Sequence, residues 1–138
     1  MAARDTSTGS VLEQMVLPAL TRGGYACRTQ VAIGQRPGGG RHVVDAIAEK
    51  DGRMWLVSMK WQQTSGTAEQ KVPFEVISLA ETVLSDRYQG AYLVLGGPGW
   101  TLRDFYTGGG LERHLVHADK VRILTLEAFV AKANHGDL

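Results

Sequence analysis

Two stretches near the middle of the chain set a few polar side chains among Val, Ile and Trp, the apolar types that favour strands and their two-residue period. They are RHVVDAIAE (Arg41 to Glu49) and MWLVSMKW (Met54 to Trp61). Between them KDGR carries Asp51-Gly52, a dipeptide favoured in two-residue hairpin turns because both central positions there need positive φ. A reversal at that dipeptide sets Asp45 opposite Ser58 and two positions from Lys60. The same period gives Val43, Asp45 and Ile47 one shared face, and Leu56, Ser58 and Lys60 another.

The flanking segments change period. SVLEQMVLPALTRGG, from Ser10, spaces Val11, Met15, Val16 and Leu20 along one helical face and ends at Gly23-Gly24. Pro18 either kinks this helix or ends it near Leu17. A strand is predicted from Tyr25 to Ile33, and the loop GQRPGGGR (Gly34 to Arg41) leads into the hairpin. After Lys60, QQTSGTAEQ has the small polar composition of an exposed loop. VPFEVISLAETVL then reads as a helix with Pro73 in its first turn and a broad apolar face of Val72, Val76, Ile77, Leu79, Ala80, Val83 and Leu84. Ser85-Asp86 begin its exit.

GAYLVLGG is apolar enough for a strand buried on both faces. A Gly-rich segment with a short helix follows, with Gly108 to Gly110 as a turn. Val121 to Leu124 reads as a strand entering a helix capped by Thr125, with Glu127 in its first turn. The order α-β-β-β-α-β, then β-α, predicts an α/β (α+β) fold: a mixed central sheet flanked by helices.

A length of 138 residues predicts one domain over residues 10–138 behind a polar tail at 1–9. No run approaches the ~20 apolar residues of a membrane span, and the N-terminus lacks a signal-peptide core. The lone Cys27 excludes an internal disulfide framework and a multi-cysteine zinc site within one chain. A reducing cytoplasm is the expected compartment. The net charge of +1 means that a nucleic-acid partner needs a local basic surface. Arg22, Arg28, Arg36, Arg41, Lys60 and Lys71 are candidates for it.

A carboxylate and an ammonium among apolar neighbours near a sheet end call for a function, and metal-assisted phosphodiester hydrolysis supplies one. Competing chemistries find less support. Neither GGG nor GGPGW is followed by the Gly-Lys-Ser/Thr of a phosphate loop, so Gly38 to Gly40 read as a hairpin tip. His114 and His117 are three apart and could share a helical face, but no cysteine lies near them to complete a zinc site. Ser58 has neither a nucleophile elbow nor a His-Asp relay.

The spacing resembles the PD-(D/E)xK nuclease superfamily, which carries an Asp on one strand and an acid-x-Lys tripeptide on the next. Asp45 matches the first acid and Lys60 the lysine, while Ser58 stands where the second acid is expected. Some restriction endonucleases of this superfamily carry Ser-x-Lys there and recruit a Glu from the following helix. Glu75 is the matching migrated ligand, with Glu69 as a second choice.

The resemblance implies Mg²⁺, which Mn²⁺ can replace, bound by Asp45, Glu75 and the backbone carbonyl of Met59, with Lys60 orienting the attacking water. Glu13 is either a further metal-directed acid or the partner of Ser10 in a capping box. Gln62 follows the lysine where such enzymes place a polar group near substrate or metal, and is otherwise a loop residue, as is Gln63. Arg36, Arg41, Gln62, Gln63 and Lys71 are the expected nucleic-acid contacts. Trp61 and Trp100 either stack on exposed bases or pack in the core.

The implied function is a metal-dependent DNA endonuclease of restriction, repair or defence. Its alternatives are a catalytically inactive DNA-binding or assembly subunit and an RNA-processing endonuclease. DNA is the expected partner, no membrane is involved, and the small domain implies a homodimer or a partner subunit.

Overall fold

The computed structural model describes residues 8–85 and 87–138, so most of the predicted tail and Asp86 lie outside the described residues. Residues 8–22 form the first helix, α1. It is π-helical over Leu12–Val16 and α-helical over Leu17–Arg22. The strands are β1 (Ala26–Gln35), β2 (Arg41–Lys50), β3 (Arg53–Trp61), β4 (Gly90–Gly96) and β5 (Val121–Thr125). The remaining helices are α2 (Ala68–Ser85), α3 (Arg103–Thr107) and α4 (Leu126–Asn134), with short 3₁₀ turns at Gly110–Arg113 and Ala118–Lys120.

The five strands lie in sequence order, β1-β2-β3-β4-β5. The first three are antiparallel, whereas β3-β4 and β4-β5 are parallel. This is the mixed sheet that the element order predicts. Asp51 (φ 54°) and Gly52 (φ 78°) make the hairpin turn with both central residues at positive φ. The resulting register runs from Lys50↔Arg53 to Ala46↔Val57, and Asp45 and Ser58 stand one step beyond its last pair.

Each face of the sheet carries a separate apolar layer. Val72, Val76 and Leu79 of α2 pack on Val44, Ile47, Leu56 and Leu93. On the other face α1 and α4 cover Ala46, Ala48, Val57, Met59 and Val94 through Leu12, Val16, Leu20 and Phe129. β4 is buried along nearly its whole length between the two layers. The Thr125 hydroxyl caps α4 by accepting the Ala128 N–H at 3.2 Å. No helix among the described residues is long and apolar enough to cross a membrane.

Several expectations are corrected. β2 does not keep strict alternation: Val43 is 36% exposed, while His42 and Val44 are fully buried, and Val44 joins Ile47 in the α2-side layer. The break falls at Asp45, beside Gln30 of β1, whose φ of 51° interrupts the pleat. In α1, Leu17 N–H bonds the Leu12 carbonyl, five residues back. Pro18 has no N–H, and its ring crowds the carbonyl four residues earlier, which accounts for the widened turn. The widened turn shifts the buried face to Leu12, Val16, Ala19 and Leu20 and leaves Met15 40% exposed. Ser10 already lies in the helix, so the Ser10–Glu13 capping box is not formed.

α2 begins at Ala68, four residues before the predicted start, so Pro73 lies inside the helix rather than in its first turn. Proline's missing N–H frees the Glu69 carbonyl, and the Tyr106 hydroxyl donates to it at 2.7 Å. Ile77 and Leu84, expected in the apolar face of α2, are 36% and 48% exposed.

Candidate active site

β2 leaves β3 after the Ala46↔Val57 pair, and the site opens where they part. Asp45 sits in that gap, its Oδ2 accepting the Met59 N–H at 2.7 Å. In an extended strand a residue's N–H and C=O leave by the same edge. The Met59 carbonyl therefore faces the same gap. Ser58 and Lys60 project from the α2 side of the sheet, with Leu56.

Glu75 descends from α2 onto Ser58. Its carboxylate is buried and held on both oxygens: Oε2 accepts the Ser58 hydroxyl at 2.9 Å and lies 3.0 Å from His42 Nε2. Oε1 pairs with Arg36 at 3.1 Å. Ser58, on the strand, thus donates to an acid brought from the helix. His42 Nδ1 is buried without a partner. The tautomer with its hydrogen on Nε2 bonds Glu75 and leaves only an acceptor unmet at Nδ1.

The two carboxylates are shifted in opposite directions. Burial raises the Asp45 pKa, and the nearby Glu75 charge adds to the rise; the Met59 N–H, Lys60 and Gln30 offset it only in part. Burial also pushes Glu75 upward, but His42, Lys60 and Ser58 together outweigh that effect and hold it below the usual carboxylate range. Lys60 therefore acts on both acids. Arg36, Lys60, Gln70, Lys71, Phe74 and Glu75 line an open cleft of about 300 Å³ over this cluster.

No group of three or more His, Cys, Asp or Glu among the described residues is arranged around a metal position. A closed protein cage is thus not built here. Two carboxylates and a strand carbonyl are instead oxygen donors of the kind that a hard divalent cation takes while keeping some of its waters.

The sequence-nominated residues divide accordingly. Asp45, Lys60, Glu75, the Met59 backbone and Arg36 converge, and Lys71 lines the same cleft. Arg41 and Gln63 are exposed. Glu13 lies exposed on α1, a helix of the opposite layer, so the sheet stands between α1 and the α2 layer that carries Glu75.

Gln62 is corrected to a structural position. Its amide donates to Glu69 Oε2 at 3.1 Å and to the Gly99 carbonyl at 2.9 Å, while its oxygen accepts the Ala68 N–H at 3.0 Å and caps α2. Glu69, the second-choice ligand, is likewise committed, accepting the Thr101 and Leu102 N–H groups. Those bonds and Gln62 outweigh the effect of burial and hold its pKa low. Gly97, at φ 94°, lies so close beneath Gln62 that a Cβ would meet the Gln62 carbonyl. Trp100 is 8% exposed, with its indole N–H on the Gly96 carbonyl at 2.7 Å, and Trp61 packs with the α1–α4 layer.

His42 and Gln30 were not nominated from sequence. A histidine two positions before the buried Val44 was a signal, but the unforeseen break at Asp45 put both on the wrong face.

One solved structure, the crystal structure of a protein of unknown function, AF1548, superposes with a TM-score of 0.51 at 12% identity. The match covers 80% of this chain, which spans 54% of that one. It supports the restriction-endonuclease-like fold. No curated protein matches the chain. The PD-(D/E)XK nuclease superfamily domain matches residues 4–136, nearly the whole length. Its members generally use divalent metals, and by this match the chain belongs to the PD-(D/E)XK nuclease superfamily.

Proposed function

We propose that the chain is a Mg²⁺-dependent endonuclease hydrolysing DNA phosphodiester bonds, with Mn²⁺ able to replace Mg²⁺. The observation that carries this reading is Glu75, delivered from α2 onto Ser58 and fixed there beside Asp45 and Lys60. Asp45, Glu75 and the Met59 carbonyl would hold the ion. Bound there, it would neutralise phosphate charge and supply an acidified water.

The protein's own groups do the rest. Ser58 and His42 keep the Glu75 carboxylate ionised and oriented. The Met59 N–H fixes Asp45. Lys60, a compact point charge on a partly buried strand end, orients the attacking water and balances charge at the phosphate. Lys71 and Arg36 supply a local basic rim at the cleft of a chain whose net charge is only +1. Pairing of two copies would place two such sites for double-strand cutting.

The test incubates purified protein with supercoiled, linear and branched DNA and matched RNA in Mg²⁺ or Mn²⁺, beside EDTA, Lys60→Ala and Glu75→Gln controls. Cleavage of DNA by wild type alone is expected. Equal cutting by Lys60→Ala would refute the mechanism, and preference for RNA would change the substrate.

One observation favours a non-catalytic alternative: Arg36 occupies Glu75 Oε1, on the acid proposed to hold the ion. A DNA-binding or assembly subunit built this way would show no Mg²⁺ or Mn²⁺ heat in calorimetry. A heat that disappears in Asp45→Ala would contradict it.

A further inference from the structure

Beside the buried Glu75, the preceding residue of α2 turns the other way. Phe74 is 47% exposed and lines the same cleft as Arg36, Lys60, Gln70 and Lys71. Leaving a phenylalanine half in water forgoes part of the stabilisation that its burial would contribute. Ordinary apolar packing does not account for it, since the interior of α2 is already filled by Val72, Val76 and Leu79. Ile77 and Leu84 of α2 are exposed as well but do not line the cleft, whose one aromatic side chain among the described residues is Phe74.

A flat apolar ring among three cations is complementary to one chemical unit: a nucleotide base flanked by backbone phosphates. Within a duplex that base face is covered by its neighbours, and exposing it costs unstacking and unpairing. A single strand or a flap presents the face already free.

We propose that Phe74 is a stacking platform for an unpaired base next to the scissile phosphate, and that the preferred substrate carries an unpaired nucleotide there. This rests on the nuclease reading above and specifies its substrate class. Arg36, Lys60 and Lys71 hold the flanking phosphates, and Phe74 supplies the discrimination between unpaired and paired strands that cations alone do not.

The experiment measures binding of a fluorescent single-stranded oligonucleotide, a flapped duplex and the blunt duplex of the same sequence, in EDTA to prevent cleavage. Phe74 is exposed, so Phe74→Ala, Phe74→Leu and Phe74→Trp are expected to fold. Phe74→Ala should weaken single-strand and flap binding roughly five- to hundredfold and change blunt-duplex binding less than about twofold. Phe74→Leu, with comparable apolar bulk but no ring, should behave like Phe74→Ala, and Phe74→Trp like wild type.

Equal losses on paired and unpaired DNA, or wild-type binding by Phe74→Leu, would overturn the stacking role. Wild type that binds unpaired DNA through Phe74 but cuts no substrate would overturn the nuclease reading and leave the platform standing. Wild type that binds no nucleic acid would overturn both.

Discussion

Asp45→Asn is expected to stabilise the protein while removing its proposed chemistry. Burial, reinforced by the neighbouring Glu75, raises the Asp45 pKa above its ordinary value of 3.8. The folded state therefore holds this proton more tightly than the unfolded chain does. Stability from this group is fully present below the unfolded pKa and is lost as pH rises through the higher folded one. At neutral pH the ionised carboxylate is a net cost. Asparagine keeps an oxygen for the Met59 N–H, now at 2.7 Å from Oδ2, and brings no charge to desolvate.

The expected gain is about 1 kcal/mol, within the usual range for relieving one unfavourable site. For a chain of this size that corresponds to roughly 3 °C in Tm. Urea unfolding in EDTA at pH 7 should show Asp45→Asn the more stable, with the difference shrinking towards pH 4. Adding Mg²⁺ at ten times its Kd should raise wild type by about 1.4 kcal/mol and leave the variant unmoved, closing or reversing the order. A variant no more stable than wild type at pH 7 in EDTA would refute the account of Asp45 as a strained acid. Equal stabilisation of both by Mg²⁺ would refute its role as ligand.

Arg36→Met should release Glu75 Oε1 from its 3.1 Å ion pair and tighten Mn²⁺ binding several-fold by calorimetry; equal or weaker binding would show that Arg36 orients the acid instead of competing for it. Gln62→Ala should cost about 2–3 kcal/mol, since it leaves the Ala68 N–H and the Gly99 carbonyl without their partner. Its Tm should fall by roughly 6–10 °C, with Mn²⁺ affinity of the folded protein unchanged. An unchanged Tm with lost metal affinity would return Gln62 to the site.

The elements were legible because their signals are local. Asp51-Gly52 dictates its own turn, and that turn alone sets the register carrying Asp45 to Ser58. Thr125 caps the last helix through its own hydroxyl. The errors arose where distant segments override local preference. Pro73 looks like a helix start until Tyr106, thirty-odd residues later, satisfies the carbonyl that proline frees. Gln62 and Glu69 sit in a segment composed like a loop, yet each is buried because the chain returns at Gly97 to Leu102 to bond them. Phe74, Ile77 and Leu84 are all exposed on α2, and of the three only Phe74 lines the cleft beside Glu75, a context that the folded chain alone supplies.

The Ser58–Glu75 pair shows why a displaced acid is consistent with an intact site. Had the acid stayed on β3, its backbone would have fixed it relative to Asp45 and Lys60. An acid on a long helical side chain is free to turn away unless something holds it. Glu75 is held by the Ser58 hydroxyl, by the buried His42 ring and by Arg36. Such burial opposes ionisation, and the donors more than offset it, so the acid stays charged beside Lys60. Burying a histidine beneath a helix carboxylate with one ring nitrogen unpaired carries a cost. That cost is explained if the carboxylate must be presented in one orientation. Under the proposed nuclease function, the Ser58–Glu75 bond is therefore the support for a relocated acid over a lost one.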